Sequence, residues 1–72
     1  MRFPDRATVD RIRAQYPVGT KVELIRMDDK FALPVGTMGV VQGVDDSGSL
    51  MVEWQNGSHL HVVFGVDEVL RL

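Results

Sequence analysis

The stretch from Gly36 to Gly57 constrains the fold more than any other part of the chain. It consists of two short apolar-rich segments of similar length, separated by Asp45-Asp46-Ser47-Gly48 and closed by Gln55-Asn56-Gly57. Short segments rich in β-branched residues and bounded by turns that contain Gly, Asn and Asp are typical of antiparallel strands joined by hairpins. The stretch therefore predicts a β-meander with which the remaining segments would pair.

The predicted second strand of the domain, Thr37–Val44, is unusually rich in glycine. Gly36 precedes it, and Gly39 and Gly43 lie within it. Glycine inside a strand marks a sharp bend, a bulge or the close approach of another group. Three glycines in so short a segment predict a sheet that curls tightly on itself, as in a barrel.

The Asn56-Gly57 turn decides the register of the strand that follows. A two-residue type I′ turn would place His59 and His61 on the face of the apolar residues. A three-residue loop, 55–57, with Gly57 in the left-handed region, instead pairs Leu50 with Val62. Because a one-residue slip exchanges the two faces of a strand, burial favours the three-residue loop.

The same reasoning applied to the turn Asp45–Gly48 favours a four-residue loop. This register pairs Val41 with Val52 and Gly39 with Trp54, so that the indole lies over a residue without a side chain. A three-residue loop would bring Gln42 onto the core face.

A short helix is predicted before the sheet. We assign it to residues 8–16, with Thr8 as the N-cap, after an N-terminal arm of residues 1–7. Pro17 ends it, because the residue before a proline is disfavoured in the helical region. Two turns of helix are not stable alone in water, so this helix must dock on the sheet.

The other predicted strands complete a mainly β domain that spans residues 8–72. The first strand is Lys21–Arg26, the fourth is about 58–63, and the last, Val69–Leu72, lies beside the first. An irregular loop, Met27–Val35, separates the first two strands, and residues 64–67 form a tight turn. Five short strands with a long first loop and a tight turn before the last predict a small SH3-like barrel with a short N-terminal α-helix.

The size and composition allow one domain without covalent or metal reinforcement. The chain has 72 residues and no cysteine, so it has neither a disulfide nor a thiolate metal site. We find no secretory signal and no apolar run long enough to cross a bilayer, and we expect a cytoplasmic protein that does not bind membranes.

Six segments, which cover nearly the whole chain from the helix onward, carry a family resemblance; they are Tyr16–Leu24, Met27–Asp29, Pro34–Gly39, Val44–Asp46, Val52–Ser58 and Gly65–Asp67. Together they resemble an uncharacterised family of short proteins from bacteria, phages and mobile elements. The resemblance implies a small SH3-like barrel of unknown function, and it supplies no catalytic residues.

No set of residues in the sequence predicts catalysis, a cofactor or a metal. His59 and His61 share a strand face near Glu53, but a structural zinc site needs four ligands. Asp28-Asp29 and Asp45-Asp46 lack the ligand spacing of a calcium loop. We therefore expect solvent-facing histidines, an Asx turn at Asp45, and a protein that is not an enzyme.

The residues that best fit a binding site are aromatic and acidic. They are Asp28, Asp29, Phe31, Tyr16 and Trp54. In SH3-like barrels, aromatic residues near the first long loop commonly line a groove for a ligand, and Tyr and Trp are good interface anchors. The alternative is that Trp54 and Tyr16 complete a very small core. Phe31, in a polar loop, is the better candidate for an exposed contact.

Two functions remain open at the level of the sequence. The first is a small non-catalytic module that binds a protein or peptide through the 27–35 loop, with a mobile-element inhibitor or adaptor as a variant suggested by analogy. The second is nucleic-acid binding through a basic arm of Arg2, Arg6, Arg11 and Arg13. Residues 1–15 carry a net charge of +2, but residues 16–72 carry −4, which disfavours binding to phosphates.

Overall fold

The computed structural model describes residues 4–72 and shows one α-helix followed by four β-strands. The elements are α1 (Arg6–Gln15), β1 (Lys21–Arg26), β2 (Met38–Val44), β3 (Leu50–Trp54) and β4 (Glu68–Arg71). The strands form a single antiparallel sheet in the order β3-β2-β1-β4. The mainly β prediction is confirmed, and β1 has the predicted bounds.

The helix begins two residues earlier than predicted. Asp5 is its N-cap, with a carboxylate oxygen that accepts a hydrogen bond from the Thr8 N–H at 2.8 Å. Hydrogen bonding from Thr8 lowers the pKa of the Asp5 carboxyl. The assignment of Thr8 as the cap was wrong because Asp5 already supplies the acceptor that the first turn needs. The helix ends before Pro17, as predicted, with Tyr16 as its C-cap.

The last strand lies beside the first, as the sequence predicted, although it begins one residue earlier at Glu68. Its register pairs Glu23 with Leu70 and Leu24 with Val69. A bulge between Leu24 and Arg26 displaces the end of this ladder.

The predicted fourth strand, about 58–63, forms one isolated bridge, between Leu50 and Val62, instead of a ladder. The ladder stops before Leu60, which would be the next bonded residue. Its carbonyl accepts from Trp54 Nε1 at 2.9 Å, and its N–H donates to Ser58 Oγ at 3.3 Å. Both backbone groups of Leu60 therefore bond to side chains instead of to β3. The sheet formed by residues 4–72 is therefore open and four-stranded, and a five-stranded barrel is not confirmed.

The three-residue loop 55–57 is confirmed. The Trp54 N–H donates to the Ser58 carbonyl at 3.0 Å, and Gly57 has a φ of +87°. The resulting register gives the predicted pairing of Leu50 with Val62. Val62 is buried, and burial thus selected the register.

The β2–β3 hairpin reaches the predicted pairings by a different route. Gly39 pairs with Trp54 and Val41 with Val52, as expected. The four-residue loop was wrong, because the Asp45 N–H donates to the Ser49 carbonyl at 3.0 Å and leaves three residues in the turn. A bulge between Val41 and Gly43 restores the register and keeps Gln42 exposed. The polar residue thus stays outside the core.

The inner face of the sheet, one residue of the helix and one residue of the 58–63 segment form the core. Its buried apolar members are Val9, Val22, Leu24, Val41, Val44, Leu50, Val52, Trp54 and Val62. The outer face of the same strands is only partly covered: Ile25, Met38 and Leu70 are between 40% and 52% exposed.

Candidate functional site

The 27–35 loop is irregular, but hydrogen bonds attach it to the rest of the domain at both ends. At its start, the Asp28 N–H donates to Asp67 Oδ1 at 2.8 Å, while Asp67 Oδ2 accepts from the Val63 N–H at 2.8 Å. Just beyond its end, the Gly36 N–H donates to the Leu24 carbonyl at 2.8 Å. One carboxylate therefore joins the start of the loop to the 63–67 turn.

The middle of the loop is a local turn that presents an aromatic ring. Asp29 organises it, because its Oδ1 accepts from the Phe31 N–H at 2.7 Å and its carbonyl accepts from the Ala32 N–H at 3.0 Å. Phe31 is 69% exposed, as expected from the sequence. The Lys30 Nζ lies 5.1 Å from the centre of the ring, within the range of a cation–π contact.

The two predicted acidic residues of the loop have different roles. The Asp29 carboxylate is engaged in the turn, whereas Asp28 is exposed and uses only its backbone N–H in the loop attachment. Val35 adds a second apolar side chain, 71% exposed. The loop therefore offers an apolar ring, an aliphatic side chain and an exposed carboxylate.

Trp54 lies in the core, which agrees with the alternative derived from the small size of the domain. It is 1% exposed, and its Nε1 donates to the Leu60 carbonyl at 2.9 Å. A Cβ on Gly39 would lie 2.7 Å from the indole Cε3, so the absence of a side chain at Gly39 lets the ring approach β2 closely. An indole in this position cannot contact a ligand without local unfolding.

Tyr16 is half-buried at the end of the helix and packs against the core. It lines a cavity of about 300 Å³ together with Ile12 and Phe64, and no residue of the 27–35 loop contributes to that cavity. Among the five predicted binding residues, only the three in the loop therefore lie together.

The arginines of the proposed nucleic-acid-binding arm do not share one environment in the structure. Arg13 is engaged within the protein: its Nε and Nη2 donate to the Val44 carbonyl at 3.2 and 3.0 Å, and Nη2 lies 3.1 Å from Asp46 Oδ1. Arg6 and Arg11 are exposed, and Arg2 lies outside the described residues. Arg13 thus fastens the helix to the β2–β3 turn.

Asp45 organises the β2–β3 turn as the predicted Asx turn. Its Oδ1 accepts from the N–H groups of Ser47 and Ser49, both at 3.0 Å, and from Ser47 Oγ at 2.6 Å. Its Oδ2 lies 3.5 Å from His61 Nδ1. Burial acts to raise the pKa of Asp45, but these hydrogen bonds and His61 outweigh it, so the pKa is lowered. The part of the chain from Pro4 onward contains no cluster of three metal-binding side chains.

A groove on the outer face of the sheet was not expected from the sequence. It measures about 550 Å³, and the side chains that define it are Lys21, Met38, Val40, Glu53, Gln55 and Leu72. The sequence does contain a signal for it: β2 carries apolar residues at consecutive positions, Val40 and Val41, which point to opposite faces of a strand. One of them must face outward.

The described residues include no helix long and apolar enough to cross a membrane. The family model described as "Domain of unknown function (DUF4314)" matches residues 5–72. The chain therefore belongs to this family. No curated protein and no solved structure gives a significant match.

Proposed function

We propose that this member of the DUF4314 family is a small non-catalytic module that binds a protein or peptide through the 27–35 loop. The observation that supports this most directly is Phe31, an aromatic side chain that is 69% exposed in a chain with a very small core. Exposing an aromatic ring to water is unfavourable in free energy, and aromatic residues are enriched at the hot spots of protein interfaces.

The hydrogen bonds that hold the loop support the same proposal. Asp67 holds the start of the loop, and Asp29 holds the turn in which Phe31 lies. A segment that is ordered before binding loses less conformational entropy when it binds. The ring can therefore act as a preformed anchor.

The side chains of the loop indicate the kind of surface that a partner would present. Phe31 and Val35 would enter an apolar surface, and the exposed Asp28 carboxylate would face a cation at its rim. Charged groups at the rim contribute to orientation and association rate more than to affinity. We therefore propose an apolar pocket bordered by Lys or Arg as the complementary surface.

We also propose that the fold is an SH3-like barrel in which the 58–63 segment is an incomplete strand between β3 and β4 in the chain order. Support comes from the position of this segment beside β3 and of β4 beside β1, which is the order that a five-stranded barrel requires. Within this proposal, an inhibitor or adaptor encoded on a mobile element remains the variant suggested by family resemblance.

The test is affinity capture from the source cells, followed by calorimetry with the purified partner. The wild-type protein is compared with Phe31→Ala and with Val18→Ala, a matched control that removes another apolar side chain, 73% exposed, from a different turn. We expect Phe31→Ala to weaken binding by about 30-fold, as for an interface hot spot, and Val18→Ala to leave it unchanged.

The control measurement is the thermal unfolding of each variant. An affinity for the partner that is the same in the wild type and in Phe31→Ala would refute the role of the loop. A large loss of stability in Phe31→Ala would instead show that the ring belongs to the core.

Nucleic-acid binding is the alternative function, and the position of Arg13 disfavours it. A guanidinium that is bonded to the Val44 carbonyl and Asp46 must give up these partners to contact a phosphate. A gel shift with oligonucleotides at low salt distinguishes the two functions, since the proposed module produces no shift.

A further inference from the structure

The outer face of the sheet carries a charge pattern that complements itself. Val40 on β2 pairs with Lys21 on β1 and with Glu53 on β3, so one cation and one anion flank an apolar residue in a single row across the sheet. In the next row along β2, Met38 lies between Glu23 and Gln55. Val40 is half-buried and Met38 is 42% exposed.

No ion pair joins Lys21 and Glu53 among residues 4–72. The strands on either side of β2 lie about 10 Å apart, so the two side chains would have to extend toward each other over Val40 to meet. Both side chains are exposed and border the groove of about 550 Å³. Each charge is therefore available to a group from another molecule.

From this pattern we propose that the outer face binds a second copy of the same chain, centred on Met38 and Val40. A two-fold axis parallel to β2 would stack the two sheets face to face and place each apolar residue on its own counterpart. The same rotation carries β1 of one copy over β3 of the other. Lys21 then faces Glu53 of the second copy, and Glu53 faces its Lys21, as an isologous interface requires.

The size of this face sets the strength of the contact. Four strands of about five residues cover a few hundred Å² per copy, below the roughly 800 Å² per partner of a stable interface. The dimer is therefore weak and forms only at high protein concentration. This surface is separate from the 27–35 loop, so the dimer and the proposed partner binding can fail independently.

Sedimentation equilibrium over protein concentrations from about 10 to 1,000 μM tests the proposal, since a small interface implies dissociation toward the lower end. We expect Lys21→Glu and Glu53→Lys each to weaken the dimer by about tenfold, because each substitution sets like charges opposite one another twice. The double variant Lys21→Glu/Glu53→Lys restores opposite charges and should recover the wild-type constant to within about threefold.

Arg11→Glu is the matched control, because it makes the same charge change on the exposed side of the helix, and it should leave the dimer unchanged. A wild-type protein that stays monomeric at the highest concentration overturns the proposal. So does a double variant that dimerises no better than the single ones. The proposal is also overturned if the protein stays monomeric and the amide NMR signals of residues 38–40 shift when the partner of the 27–35 loop is added. That result would show that the outer face binds the same partner.

Discussion

The two faces of one sheet differ sharply although they are built from the same strands. On the inner face, Val22, Val41 and Trp54 are at most 1% exposed. On the outer face, Met38 and Leu70 are 42% and 52% exposed. The inner face must hold the domain together, because a chain of this size has one small core. The outer face contributes little to that task and can carry apolar residues that stay partly exposed.

The largest expected effect comes from removing the aromatic residue of the inner face. Trp54→Ala would cost about 3–5 kcal/mol, which is comparable with the roughly 3–5 kcal/mol that the core of so small a domain supplies. We expect the variant to be unfolded at 25 °C, as measured by circular dichroism. Phe31→Ala, the same kind of truncation at an exposed site, should change the free energy of unfolding by less than about 0.5 kcal/mol. Similar losses in the two variants would contradict the contrast between buried and exposed aromatic residues.

A smaller loss of stability is expected from substitutions at the glycines of β2, and it should differ between two of them. A Cβ on Gly39 would lie 2.5 Å from Val52 Cγ1 and 2.7 Å from Trp54 Cε3, both in the packed core. We expect Gly39→Ala to cost about 1–3 kcal/mol through overpacking. Gly43→Ala is the matched control, because its Cβ would meet only Met51 Cε, the mobile end of a flexible side chain. Urea denaturation of both variants measures the difference, and equal losses would show that the close approach of the indole is unimportant.

The smallest effect concerns the β2–β3 turn, which the Asp45 carboxylate organises. The pKa of Asp45 is lowered in the folded state, so its charge contributes stability above the unfolded pKa, and this contribution is lost as the pH falls through the folded value. Asp45→Asn keeps an oxygen acceptor but removes the charge. We expect the variant to melt below the wild type at pH 7, with the gap narrowing as the pH falls below the unfolded value of about 3.9. A gap that does not depend on pH would show that the carboxylate charge plays no part.

Much of the fold could be predicted because it depends on local patterns. The alternation in Lys21–Arg26 gave the correct bounds of β1, and glycine at position 57 gave the correct loop. The helix start was misplaced, because Asp5 and Thr8 are both good caps and the sequence alone does not say which oxygen reaches which N–H. The bulge at Gln42 was missed. A four-residue loop without a bulge and a three-residue loop with one bulge lead to the same core pairings, so the pattern of apolar residues does not distinguish them.

The candidate site was predicted only in part. The exposure of Phe31 follows from its polar neighbours, and its surroundings in the structure agree with that expectation. The engagement of Arg13 with the β2–β3 turn could not be foreseen, because it joins residues 31 positions apart. The same holds for Asp67, which fixes the start of the loop from 39 residues away.

By itself, the sequence determined the order of the helix and the four strands of the sheet and the turn that requires a glycine, because each depends on neighbours within a few positions. Only the tertiary structure decided that the Trp54 indole bonds to the Leu60 carbonyl and that the 58–63 segment forms one isolated bridge in place of the predicted strand. It alone also set Lys21 and Glu53 on either side of Val40. The physical reason is that side-chain hydrogen bonds and cross-strand rows form between segments whose relative position is set by packing, and no local propensity encodes that position.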